Sequence, residues 1–146
     1  MVQHRTILTV ADNSGAKALA VIHIFGGSKR TYGYVGDVLN CVVREAASVG
    51  QVKDSEVVKV VLIRARKEYG RKDGSYIRFS DNAGVIIDNP KDKNPRATRI
   101  FGPIAREVKD KGFAKIASMA EEVLWNLNNE ILLILSGEKI KEKLEK

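Results

Sequence analysis

The sequence predicts a mainly β fold: a small antiparallel barrel or sandwich, followed by a shorter helical region. Three observations predict it. The first 90 residues alternate short β-branched runs with turn formers. No helical periodicity interrupts them. All three prolines then fall between residues 90 and 103, and an apolar repeat of three to four residues begins only after them.

The elements follow in order. TILTV (6–10) is the first strand, closed by the turn cluster ADNSG (11–15). AKALAVIHIFGG (16–27) is the second, ended by a glycine pair. GDVLNCVVREA (36–46) and EVVKVVLIRARKE (56–68) are the strongest strands, rich in Val and Ile. SYIRF (75–79) and AGVIID (83–88) complete the β region, and a closed barrel would remove the exposed edges of so short a sheet. Residues 88–103 are expected to form a loop, because each proline removes a donor and restricts the residue before it. IAREVKDKG (104–112) reads as a short helix stopped by Gly112. From Phe113, the stripe Ile116, Met119, Val123, Leu127, Ile131 and Ile134 predicts an amphipathic helix reaching to about Gly137.

Charge narrows the function. The chain of 146 residues has a net charge of +7. Residues 1–100 carry 17 Lys and Arg against 10 Asp and Glu, and residues 101–146 carry eight of each. A basic body with a neutral C-terminal part predicts a polyanionic partner, with nucleic acid ahead of a membrane surface. The single cysteine, Cys41, lies in an apolar strand and is expected to be a buried, inert thiol. No signal-peptide pattern and no apolar run near 20 residues is present, so a soluble, cytoplasmic protein is expected.

No enzyme is expected. His4 and His23 have no ligand or base partners at useful spacing, and His23 in VIHIF is expected on a strand surface. GGSKR (26–30) lacks the phosphate-loop pattern and no helix follows it. Its backbone donors, with Lys29 and Arg30, still suit an RNA phosphate. No cofactor and no metal is expected.

The basic residues are the main signal. Arg64, Arg66, Lys67, Arg71 and Lys72 place five cations within nine residues, around a Lys-Asp-Gly-Ser turn. Arg78 follows, and Tyr69 and Tyr76 interleave with the cations as stacking candidates. Clustered cations neutralise phosphates without reading bases. Lys17, Arg96 and Arg99 complete the expected RNA contacts, the last two on the Pro-rich loop. A solvated hairpin whose charges merely blunt a sheet edge is the bland alternative.

Four ordered blocks carry a resemblance: VADNSGAK, GDVLNCVVREA, RKDGSYIRFSDNAGVII and ATRIFGPIAREVKDKGFAKIASMA. Over residues 1–124 the chain resembles the universal large-subunit ribosomal protein number fourteen in its bacterial form. The resemblance implies a five-stranded antiparallel β-barrel with a projecting β-ribbon and a C-terminal α-helical segment. It implies binding to large-subunit rRNA and a place at the subunit interface, bridging to small-subunit rRNA. Large-subunit proteins number three and nineteen are the implied neighbours, and a ribosome silencing factor an implied docking partner, with Thr98, Arg99 and Lys115 in that surface. A proline usual after the position of Ala120 is replaced by Glu121, so the helix from Phe113 is expected to continue. Residues 125–146 then form a helical extension beyond the 1–124 domain. Its apolar face, with Trp125, Ile131, Leu132 and Leu135, is read as a docking surface rather than a helix packed back on the barrel. The rival reading is a free-standing barrel-type translation factor or RNA chaperone, which would wash off large subunits in moderate salt.

Overall fold

The computed structural model describes residues 1–124. Five strands close a barrel in the order β1 (Ile7–Val10), β2 (Ala16–Ile24), β3 (Val38–Ala46), β4 (Val57–Arg64) and β7 (Ala83–Ile87). Four of the five pairings are antiparallel, and β1 and β7 run parallel, with Thr9 opposite Ala83 and Val10 opposite Gly84. The parallel seam is a matter of parity. Strands that alternate in direction around a ring of odd number must meet one neighbour running the same way.

The barrel interior follows the period of two. Leu39, Cys41 and Val43 of β3 point inward and are fully buried. Val61 through Arg64 of β4 and all of β7 are buried without alternation, because both faces of this seam are covered. The outer cover is the C-terminal region, whose Ile104, Val108, Ile116 and Leu124 join the same core. The unbroken run VVLIRA is therefore the trace of a two-sided strand. Gly84 sits where β7 crosses close to β4. A Cβ there would collide with Val60 Cγ1 and lie 3.5 Å from Leu8 Cδ1.

Between β4 and β7 the chain makes a hairpin of β5 (Tyr69–Gly70) and β6 (Tyr76–Ile77). After the Pro-rich loop come β8 (Pro103–Ala105), α1 (Arg106–Asp110), α2 (Ala114–Met119) and β9 (Glu122–Leu124). Gly112 ends the first helical turn region with φ +96°.

One expectation is corrected. The helix begun near Phe113 does not continue through Glu121, for Ala120 is already extended (φ −70°, ψ 150°) and β9 pairs in parallel with β8, Val123 opposite Ile104. Burying Leu124 and adding a strand to β8 outweigh helix propensity there, proline or not. His23 lies on the strand surface, with Ile22 exposed beside it. A register shift between Val21 and His23 turns both Ile22 and His23 outward, with the His23 ring edge-on to Phe25 at 5.2 Å. Trp125, Ile131 and Leu135, and the proposed 125–146 extension, lie outside the described residues.

Candidate nucleic-acid interface

The hairpin turn is built by its own residues. Asp73 Oδ1 accepts from the Ser75 backbone N–H at 3.0 Å and from Ser75 Oγ at 2.6 Å. These bonds, the hydroxyl first, hold the Asp73 carboxyl below its ordinary range. Gly74 takes φ +87° and donates its N–H to the Arg71 carbonyl at 3.0 Å. The turn is thus stiff before any partner arrives.

The cations around it divide into two groups. Arg64 is buried, and its guanidinium is shared between the Asp81 carboxylate (3.1 and 3.2 Å) and the carbonyls of Phe101 (2.9 Å) and Pro103 (3.1 Å). Arg71 is nearly as enclosed. It forms a forked pair with Glu107 (2.6 and 3.2 Å) and donates to the Leu124 carbonyl at 2.9 Å. Both were expected to face RNA, and both instead fasten the chain to itself. Arg64 ties β4 to the entry of β8, and Arg71 clamps the hairpin to α1 and β9. The ribbon is accordingly short and strapped down at its base.

Arg66, Lys72 and Arg78 remain exposed and form no salt bridge among the described residues. Lys67 pairs with Glu68 at 2.8 Å, but both side chains are about half exposed. Such a pair is worth about 0–1 kcal/mol and yields readily to a phosphate. Tyr76 is exposed and lies across Gly70, where a Cβ would come within 3.3 Å of its ring. Tyr69 is half-buried, 6.0 Å from the ring of Tyr34. That contact brings the base of the hairpin beside the turn that follows β2.

In that turn Arg30 is a structural buckle. Its guanidinium donates to the carbonyls of Phe25 (2.8 Å) and Tyr32 (3.2 Å) and pairs with Asp37. Asp37 also receives Lys111 at 2.9 Å. Lys29 is exposed and forms no salt bridge among the described residues. Lys17 is exposed and loosely paired with Glu45 at 3.4 Å.

The Pro-rich loop is held down along its length. Arg96 bridges Asp88 (3.0 Å) and Glu56 (3.2 Å), and Ile100 pairs with Asp12. The Lys53 backbone N–H, and then Arg96, hold the Glu56 carboxyl below its ordinary range. Thr98 and Arg99 are exposed, with the Arg99 guanidinium 5.5 Å over the Phe101 ring. Lys115 is exposed on α2 and makes no hydrogen bond to the 98–99 segment. Asn13 binds Thr98 and Arg99 directly, a contact that the sequence reading missed. The ADNSG cluster signals a turn, and nothing local says what its side chains reach.

No chemical centre competes with this basic face among the described residues. A cleft of about 370 Å³ between the hairpin and α1 is lined by ions of both signs, among them Lys72, Asp73, Arg106 and Asp110. Cys41 is fully buried, and burial pushes its thiol up to about 12. No helix of the described residues is long and apolar enough to cross a membrane.

A family model described as ribosomal protein L14p/L23e matches residues 1–124. The chain belongs to the ribosomal protein L14p/L23e family. Membership makes it a structural protein of the large ribosomal subunit, associated with the ribosome and its RNA. The family is a structural and not an enzymatic kind of protein. The closed five-stranded barrel with two short helices agrees with that assignment.

Proposed function

We propose that the chain grips large-subunit rRNA through the exposed cations of the hairpin, Arg66, Lys67, Lys72 and Arg78, joined by Lys29. Tyr76 offers a ring to a base or ribose. One observation carries this reading. In a barrel where Arg30, Arg64, Arg71 and Arg96 are spent on internal carboxylates, a cluster around one stiff turn keeps its charge outward. Contacts of this kind go mainly to phosphate and sugar, and they position the protein rather than read sequence.

The Pro-rich loop, with Thr98 and Arg99 at its exposed part, serves the subunit interface and small-subunit rRNA. Lys115 extends the docking surface toward a ribosome silencing factor, and large-subunit proteins number three and nineteen are the neighbours. Trp125, Ile131 and Leu135 of the extension dock on a protein or an RNA groove nearby.

The test is incorporation. Large subunits assembled with a variant carrying R66A, K67A, K72A and R78A are sedimented through a moderate-salt wash. The variant is expected to be depleted from the subunit peak while the wild-type chain stays stoichiometric. Equal retention of the two would defeat the reading. Loss of the wild-type chain in the same wash would favour a free-standing RNA-binding factor.

A further inference from the structure

Asn13 stands exposed in the turn between β1 and β2, yet its side chain is wholly committed to one segment. Oδ1 accepts the backbone N–H of Thr98 and of Arg99, each at 3.1 Å, and Nδ2 donates to Thr98 Oγ1 at 3.0 Å. Two N–H donors converge on one atom, and only the oxygen can accept both, so the amide has a single orientation. The Thr98 hydroxyl is therefore an acceptor toward Asn13. Its own proton has no acceptor among the described residues, and Thr98 faces solvent.

The platform beneath is rigid. Asp12 is buried, and its carboxylate takes the Ser14 N–H (3.1 Å), the Ser14 hydroxyl (2.5 Å) and the Ile86 N–H of β7 (3.0 Å). Beside the hydroxyl, the Arg99 guanidinium forms no salt bridge among the described residues.

We propose that Asn13 is a positioning residue that turns the Thr98 hydroxyl outward as a donor beside Arg99, so that the two grip one RNA phosphodiester of the small subunit. A hydroxyl donor next to a guanidinium matches an oxygen that carries full negative charge and only accepts. The basic body favours a phosphate over a protein carboxylate. The inference rests on the subunit-interface reading of this loop.

The experiment follows association of small subunits with large subunits carrying full-length variants, by light scattering. In N13D the carboxylate still accepts both backbone N–H groups, so the loop keeps its place. It also accepts the Thr98 proton and turns that donor inward. N13D and T98V are each expected to weaken association about ten-fold, the size of one charge-assisted hydrogen bond. The double variant should be no weaker than either alone, with the melting temperature of the free protein unchanged. Additive losses would mean that the new carboxylate simply repels the partner, and would overturn the positioning role. So would wild-type association in N13D alongside a weakened T98V. If T98V and R99A both left association unchanged, the interface reading itself would fall. If those two variants instead weakened binding to a purified large-subunit protein, the anion would be a carboxylate, and the phosphodiester would be wrong.

Discussion

Replacing Arg64 by Ala separates structural from RNA-binding cations more sharply than any other single change. Its guanidinium serves Asp81 through a forked pair and the carbonyls of Phe101 and Pro103 at 2.9 and 3.1 Å. Asp81 is about one-third exposed, so water re-solvates it at small cost. The two carbonyls lose a charged donor inside the packed seam, and the vacated volume lies against Gly102, whose missing side chain makes room for the guanidinium. Leaving two such carbonyls without their donor costs about 1–3 kcal/mol each. For a protein of this size that lowers the melting temperature by about 10 °C. R64K should fall between, because one ammonium cannot replace a planar fork. R66A is the control: its side chain is exposed, and the backbone N–H bond to Asn82 Oδ1 survives the substitution. That variant should change stability by less than about 0.5 kcal/mol. The assay is thermal unfolding of the free, RNA-less protein by circular dichroism. An R64A melting point within about 2 °C of wild type would refute the reasoning, and an R66A loss as large as that of R64A would refute it equally.

Further outcomes are expected from other parts of the fold. G84A should destabilise by about 1–3 kcal/mol, since the added methyl drives into Val60 across the seam, and equal urea midpoints would contradict that. Cys41 should resist thiol reagents at pH 8 until the barrel opens, and immediate native-state labelling would be the contrary result. Because burial raises its pKa from about 9 to about 12, the stability tied to the neutral thiol is complete below pH 9. It fades as the pH rises toward 12, and a C41A variant should lack that alkaline component. Glu56 and Asp73 shift the other way. Their carboxyls are held below 4.5 and 3.8, so the stability they add is present above those values and disappears as acid protonates them. NMR titration midpoints at or above the ordinary values would contradict the hydrogen bonds described.

The barrel strands were legible because each one repeats an apolar residue at a period of two or runs apolar throughout, and turn chemistry brackets each run. Leu39, Cys41 and Val43 announce their face locally. What escaped the sequence is non-local. Arg64 and Arg66 look alike in the string RAR, but the register shift between Leu62 and Arg64 and the arrival of β8 bury one and leave the other outside. The apolar stripe through Ile116, Met119 and Val123 fits a continuous helix. Its last member instead pairs with Ile104 as strand, a choice set by a partner 19 residues upstream. Asn13 reaches Thr98 across 85 positions, so its role is invisible until the turn and the loop are seen together.

The central claim is that a small set of outward cations on the hairpin, and not the total basic charge, binds rRNA. The slope of log Kobs against log salt, measured for the protein on large-subunit rRNA, tests it most directly. Each lost phosphate contact reduces the slope by about 0.7–0.9, so R66A/K67A/K72A/R78A should flatten it by about 3. A variant of equal charge change at exposed positions away from the hairpin, K17A/R44A/K53A/K91A, should leave it nearly intact. Equal flattening in both variants would mean that net charge alone drives binding, and would contradict the account.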